Sequence, residues 1–400
     1  MAGDARTTAD GDETPAAPLE TERIPYNRPS IEGREMDYIR QSVEHGHTSA
    51  DGPFSAVAAE VLREEVGANQ VLLTTSCTAA LEMSAMLLDV GPGDYTLSLH
   101  DALPISALAF SRAGARILFC DIEATTLGLD PDHLAELMDE SVRAVVPIHY
   151  SGIGCDLAAI RAVLEGWPRA ELVEDNAHGL FGRYQGEPLG SFGRFATLSF
   201  HETKNFICGE GGALIVNRPE DVDRAHVIYH KGTNRQAFLL GAVDKYSWQD
   251  TGSSFGLSDV LAAYLYGQLE QRTSILARRR AVFDRYQVAL EPVAGRYGLQ
   301  LPVVPPDREQ AYHMFHVLLP SNELRNRVLA MMQAADVHAT FHYVPLHSSP
   351  GGQKVAARAT ECPVTDDISG RLLRLPFFTG LTEAESDRVL DTFLGALDLG

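Results

Sequence analysis

The stretch FATLSFHETKNFICGEGGALIVN carries one lysine, Lys204, in an irregular segment between two apolar runs of β character. Ser199 and His201 come just ahead of it, and GEGG makes a tight turn behind it. Lysine is seldom found where a chain dives back into a core. An amine held at a strand end is suited to Schiff-base chemistry with an aldehyde. In LVEDNAHG, Glu174 and Asp175 close another apolar run, Asp175 standing 29 residues ahead of the lysine. A carboxylate at a buried strand end needs a partner. A protonated ring nitrogen would serve, and so would the amides of a following helix in a plain capping role. A third junction, TTSCTAAL, runs a strand straight into a helix. Ser76, Cys77 and Thr78 leave backbone N–H groups free there, which can cradle a phosphate. The plainer alternative is an N-cap by Ser76 or Thr78.

Each junction alone has an ordinary structural explanation. Together they carry more. A phosphate cradle, an acid for a pyridinium nitrogen and a Schiff-base lysine are the parts of an enzyme using pyridoxal 5'-phosphate (PLP). The order of acid before lysine suits an aspartate aminotransferase-like arrangement. GEGG is not a nucleotide phosphate loop of the GxxxxGK[ST] kind, because the lysine precedes the glycines. No GxGxxG opens a helix, so a nicotinamide site of the Rossmann type is not supported.

The elements that must position these residues alternate along the chain. QVLLTTS, ARILFCD, RAVVPIHY and AELVEDN read as strands, and TAALEMSAMLLDV, DPDHLAELM and LAAIRAVLEG as helices between them. FATLSFH and GGALIVN are two further strands. This alternation predicts an α/β fold with a mostly parallel sheet covered on both faces. Ligands of such sheets bind beyond the C-terminal strand ends. From about Gln271 the texture changes to a long helix, ILARRRAVFDRYQVAL, followed by HMFHVLLP and ATFHYVP as strands and RVLAMMQAAD and ESDRVLDTFLGAL as helices. We expect a polar, disordered tail over 1–22, a large PLP-binding domain over 23–270 and a small C-terminal α+β domain over 271–400.

The chain has 400 residues, 45% hydrophobic and 22% charged, with a formal net charge of −21. That balance speaks against nucleic acid and against an anionic membrane surface as partners. No apolar run reaches the roughly 20 residues that span a bilayer. The five cysteines include no CxxC pair, so neither a disulfide framework nor a zinc site is expected, and no metal site at all. A reducing cytoplasm fits this cysteine usage.

At the chemical junctions the sequence resembles the DegT/DnrJ/EryC1/StrS family of nucleotide-sugar aminotransferases. The resemblance covers nearly the whole chain after the tail. SFHETKN with GEGG carries the family likeness. KGTNR and VDKYSWQDTGSSF narrow it to members that make dTDP-4-amino-4,6-dideoxy-D-galactose. The resemblance implies PLP-dependent transferase fold type I and a homodimer with a shared active site. It implies transfer of an amine from L-glutamate to dTDP-4-keto-6-deoxy-D-glucose, the alternatives being another nucleotide-sugar aminotransferase with a 3-amino or gluco product, or a PLP-fold regulator impaired in catalysis. By residue, it implies that Lys204 is the Schiff-base lysine and that Asp175 pairs with the pyridine nitrogen. His178 would stand beside the phenolic oxygen. Ser199 and the backbone of Cys77 and Thr78 would hold the phosphate, joined by Ser254 from the partner subunit. His201 and Asn205 flank the lysine in positions that can meet substrate, and His342, Tyr343 and His347 of FHYVPLH are candidate sugar-nucleotide contacts.

One stretch breaks the likeness. Residues 96–106 read TLSLHDALPIS where the family has a run such as VIMPSYTFVST, and only Ser106, an ordinary replacement for Thr, agrees. The lengths match, and agreement resumes at Ala107, Ala109 and Phe110. TLSLHDALPI is also what a common sequencing-adapter oligonucleotide encodes. We read the segment as adapter-derived, overwriting natural residues. The family aromatic that stacks on the cofactor ring falls at Leu103, which offers no π face. His100–Asp101 is then without catalytic meaning.

Overall fold

Seven strands build the central sheet of the computed structural model, which describes residues 23–99, 105–342 and 344–399. They are β1 (Gln70–Thr74), β2 (Tyr95–Leu99), β3 (Arg116–Cys120), β4 (Val142–Val146), β5 (Glu171–Asp175), β6 (Phe195–Ser199) and β7 (Gly212–Val216). Their order across the sheet is β1-β7-β6-β5-β4-β2-β3. The pairs β2–β3, β2–β4, β4–β5 and β5–β6 are parallel, and β7 runs antiparallel to both its neighbours. The α/β class and the mostly parallel sheet expected from the alternating pattern are what the structure has. The expected tail over 1–22, the pair His100–Asp101, Leu103 and Tyr343 lie outside the described residues.

The strands are apolar along their whole length because both faces are covered. Successive side chains point to opposite sides. Leu72, Leu214 and Val216 join a core with Leu81, Met83 and Phe110. Their neighbours Val71, Leu73, Ala213 and Ile215 join another with Leu62, Ala262 and Leu265. Helix Cys77–Leu87 supplies much of the first, and helices Pro53–Val66 and Asp259–Glu270 much of the second. The sequence pattern did not single out the last two. Helix 259–270 is apolar on most of its surface, so it has little amphipathic period to read.

A second, three-stranded antiparallel sheet has β8 (His316–Leu318) and β9 (Thr340–Phe341) on either side of β10 (Leu372–Arg374). Helices Arg272–Tyr297, Asn322–Ala334 and Glu383–Asp398 pack with it around Phe315, Phe377, Phe378 and Phe393. Ile24, near the start of the described chain, is buried in this same core. The odd stretch is partly regular. Residues 95–99 form β2, between β3 and β4, and Ile105–Arg112 is a helix. The Thr96 hydroxyl is buried there with no hydrogen-bond partner among the described residues.

Candidate active site

The ends of β1 and β6 meet at one glycine, with the end of β5 on the far side of β6. Gly212 at the start of β7 pairs with Thr74 on one side and Ser199 on the other. A Cβ at this position would lie 2.4 Å from the Cys77 nitrogen. Only glycine leaves that amide clear. Ser76 is the N-cap of helix Cys77–Leu87, its hydroxyl accepting from the Ala79 amide at 3.1 Å. The capping alternative is therefore correct for Ser76. It leaves the Cys77 and Thr78 amides, the first two of the helix, without an intrahelical acceptor. Two such amides at the positive end of a helix suit a phosphate.

Glu174 and Asp175 are neighbours, so β geometry sends them to opposite faces. Glu174 is fully buried and accepts from the amides of Gly190, Phe192 and Gly193, each at 2.8 Å. His149 meets it at 2.9 Å. The Cys155 amide donates to Nδ1 of that imidazole, so Nε2 carries the proton toward Glu174. Glu174 thus knits a loop to the sheet. Asp175 is the chemically available acid. It is 2% exposed. Oδ2 accepts from the Ser106 hydroxyl at 2.6 Å and Oδ1 from the Ala177 amide at 3.2 Å. The Cys77 thiol lies 4.0 Å from Oδ1 and 3.5 Å from the Thr197 hydroxyl. Burial pushes the Asp175 carboxyl above its usual range, against the Ser106 and Ala177 hydrogen bonds and the Lys204 charge.

Lys204 is half-buried as a residue, yet enough protein surrounds its ammonium to lower its pKa to about 8. Burial is the main cause. Arg374 adds to it, while Cys77 and Asp175 pull the other way. His178 is driven well below the ordinary imidazole range by burial, with Lys204 and Arg374 contributing. Its Nδ1 is buried with no hydrogen-bond partner among the described residues. The site therefore offers an amine poised near neutrality, a buried acid, two helix-end amides and a neutral imidazole with a spare nitrogen. These match the Schiff-base carbon, ring nitrogen, phosphate and phenolic oxygen of PLP in chemical type, so the residues present fit that group.

The other sequence candidates separate. Ser199 ends β6 beside Gly212 as expected. Ser254 pairs with His230 and borders an open depression of about 300 Å³ with Asp51, Tyr229 and Lys231. Its segment runs alongside β1, the Thr75 amide donating to the Phe255 carbonyl at 2.9 Å. No hydrogen bond among the described residues joins Ser254 to Asp175 or Lys204 in the same chain. His201 faces Glu210 at 3.6 Å, and Asn205 is turned inward to Ala311 and His313. His342 is buried against the Tyr150 hydroxyl at 3.0 Å, whereas His347 sits 3.3 Å from Asp366. All five cysteines are buried and unbridged.

Sequence reasoning did not find Ser106, His313, Arg279 or Arg374. Ser106 closes the stretch that breaks the family likeness, and its agreement with the family at that one position drew no role to it. His313 sits in HMFHVLLP, read as a strand, although the strand begins only at His316. The two arginines are fully or nearly fully buried, and no local pattern announces a buried guanidinium.

A profile of the DegT/DnrJ/EryC1/StrS aminotransferase family matches residues 29–394. The spore coat polysaccharide biosynthesis protein SpsC of Bacillus subtilis (strain 168) is 28% identical over 376 residues, covering 92% of this chain and 95% of that protein. The dTDP-4-dehydro-2,3,6-trideoxy-D-glucose 4-aminotransferase of Saccharopolyspora spinosa is 29% identical over 338 residues, 83% of this chain and 86% of the relative. Among solved structures, the aminotransferase TlmJ of Streptoalloteichus hindustanus superposes with a TM-score of 0.86 at 27% identity, over 94% of this chain and 99% of that one. DesV of S. venezuelae, solved with a ketimine intermediate, superposes with a TM-score of 0.85 at 26% identity, over 94% and 99%.

Proposed function

This chain belongs to the DegT/DnrJ/EryC1/StrS aminotransferase family and is a PLP-dependent aminotransferase, and we propose that its acceptor is a dTDP-4-keto-6-deoxy-hexose. In this reading the amine of L-glutamate passes to C4 of dTDP-4-keto-6-deoxy-D-glucose, and the product is dTDP-4-amino-4,6-dideoxy-D-galactose. The observation that carries the reading is the meeting of Lys204, Asp175 and the Cys77–Thr78 amides at adjoining strand ends. The 29% identical relative whose name specifies a dTDP-4-dehydro sugar as substrate supports the acceptor class. The KGTNR and VDKYSWQDTGSSF stretches support the finer product.

PLP, when bound, supplies an electron sink that makes the Cα–H of an amino acid acidic. The chain's own residues do the rest. Asp175, buried and hydrogen-bonded by Ser106, would hold the proton on the ring nitrogen. The Cys77 and Thr78 amides and the Ser199 hydroxyl would hold the phosphate. His178, kept neutral by burial, would stand beside the phenolic oxygen. Lys204, with its pKa near 8, holds a proton weakly enough to take one at Cα and give it back at neutral pH.

The homodimer belongs to the same proposal. Leu239, Leu240, Tyr246 and Trp248 are 69%, 76%, 56% and 79% exposed and lie just ahead of Ser254. An apolar stretch of this kind needs a cover, and a second copy brings Ser254 toward the first copy's phosphate cradle. No helix among the described residues is long and apolar enough to cross a membrane, which agrees with a cytoplasmic enzyme acting on soluble nucleotide sugars. The test is to supply dTDP-4-keto-6-deoxy-D-glucose and L-glutamate and identify the product by NMR. A 4-amino sugar with an axial C4 amine is the expected result. A 3-amino product, or no turnover by the PLP-loaded protein, would overturn the proposal.

A further inference from the structure

His313 is a buried imidazole that the chemistry above leaves unused. Its ring lies 4.0 Å from that of His178 at an interplanar angle of 17°, so the two are stacked. Its Nδ1 is 2.9 Å from Oδ1 of Asn205, the residue after Lys204. The Asn205 amide nitrogen donates to the Ala311 carbonyl at 2.6 Å. Reversing that amide would set oxygen against oxygen, so Asn205 must present its oxygen to His313. An amide oxygen only accepts. His313 therefore carries its proton on Nδ1, and its tautomer is set by the segment that bears the lysine.

His313 is itself held hard in place. Arg279, 2% exposed, donates through Nε to the Tyr312 carbonyl at 2.8 Å and through Nη2 to the His313 carbonyl at 2.7 Å. Its Nη1 reaches the Thr379 hydroxyl at 3.2 Å. Tyr312 has a φ of 53°, a left-handed conformation uncommon for a residue with a side chain. The His313 amide donates to the Ser151 carbonyl at 3.2 Å. Three acceptors spent on one buried guanidinium keep this turn in a conformation it would not hold alone.

We propose that His313 is a positioning residue, which clamps the ring of His178 by stacking and the Lys204–Asn205 segment by its Nδ1 hydrogen bond. The clamp links the two groups whose relative placement decides how the cofactor's carbonyl carbon and phenolic oxygen are met. Both imidazoles stay neutral while they stack. Burial lowers each, Lys204 and Arg374 lower both, and His178 and Arg279 add to the effect on His313. A proton added to either ring would put a charge in a buried site, which is costly.

Two variants separate the two halves of the clamp. His313→Phe keeps a flat ring over His178 but loses the donor to Asn205. His313→Gln keeps a donor and loses the stacked ring. In each, PLP affinity measured by absorbance on the full-length protein should fall about tenfold, equivalent to about 1.4 kcal/mol. The pH midpoint of the bound cofactor's absorbance should also move by about half a unit or more, since a shift of that size needs only a fraction of a hydrogen bond. A wholly structural role would lower the melting temperature and leave that midpoint where it was. Both variants binding PLP with unchanged affinity and midpoint would overturn the proposal. Ring ¹⁵N spectra of the cofactor-free wild-type protein give a second, independent answer. His313 should be neutral and Nδ1-protonated from pH 6 to 9, and an Nε2-protonated or charged ring would overturn the proposal even if neither variant folds. Failure of the wild-type protein to bind PLP would instead strike the cofactor assignment, and the spectra would still decide the clamp.

Discussion

Capture of the PLP aldehyde by the cofactor-free protein should follow a midpoint near pH 8. The nucleophile is the neutral amine of Lys204, whose pKa is lowered to about 8 by burial and Arg374. At pH 7 about one amine in ten is then neutral. An unperturbed lysine with a pKa near 10.4 would be neutral about once in 2,500, so the environment is worth roughly 230-fold in reactive amine. Asp175 opposes this by favouring the charged form. Asp175→Asn should therefore move the midpoint below that of the wild type. The sign for stability runs in the same direction. Between about pH 8 and 10.4 the unfolded chain holds the Lys204 proton more tightly than the folded one, so this residue's contribution to stability rises with pH across that window and is constant below it. The assay is rapid mixing of cofactor-free protein with PLP from pH 6 to 10, followed by absorbance, with Lys204→Ala as the blank. A rate that climbs through pH 9.5 without levelling near 8, or an Asp175→Asn midpoint above the wild type, would refute the argument.

Two further outcomes are expected. Glu174→Ala leaves three amides and one imidazole N–H buried without an acceptor; at about 1–3 kcal/mol each the loss should be about 4 kcal/mol or more, read as a lower urea midpoint, and a change under 1 kcal/mol would contradict the role given to this carboxylate. Resequencing the gene from genomic DNA should return different residues over 96–105, with an aromatic at position 103, no stranded hydroxyl at position 96 and a hydroxyl residue kept at position 106, whereas clean reads of TLSLHDALPIS would establish the segment as genuine.

The α/β class was legible in the strand and helix periods alone, because a strand buried on both faces must be apolar throughout. The junctions that hold Lys204, Asp175 and the Cys77–Thr78 amides were legible too. A lysine between two apolar runs, an acid at a strand end and small residues opening a helix are local departures from what packing would choose. Their roles toward PLP came from a family resemblance rather than from spacing. The tertiary structure decided what no local pattern encodes. It sent Glu174 to a loop and Asp175 to the site, since β geometry separates neighbours but does not say which face holds the chemistry. It set the Ser106 hydroxyl on Asp175 across 69 residues of chain. It buried Arg279 against the turn that carries His313, and stacked that ring on His178 from 135 residues away. Side chains far apart in sequence meet only when sheet order and helix packing close the distance, and hydrogen bonds made after that closure fix their tautomers and charges.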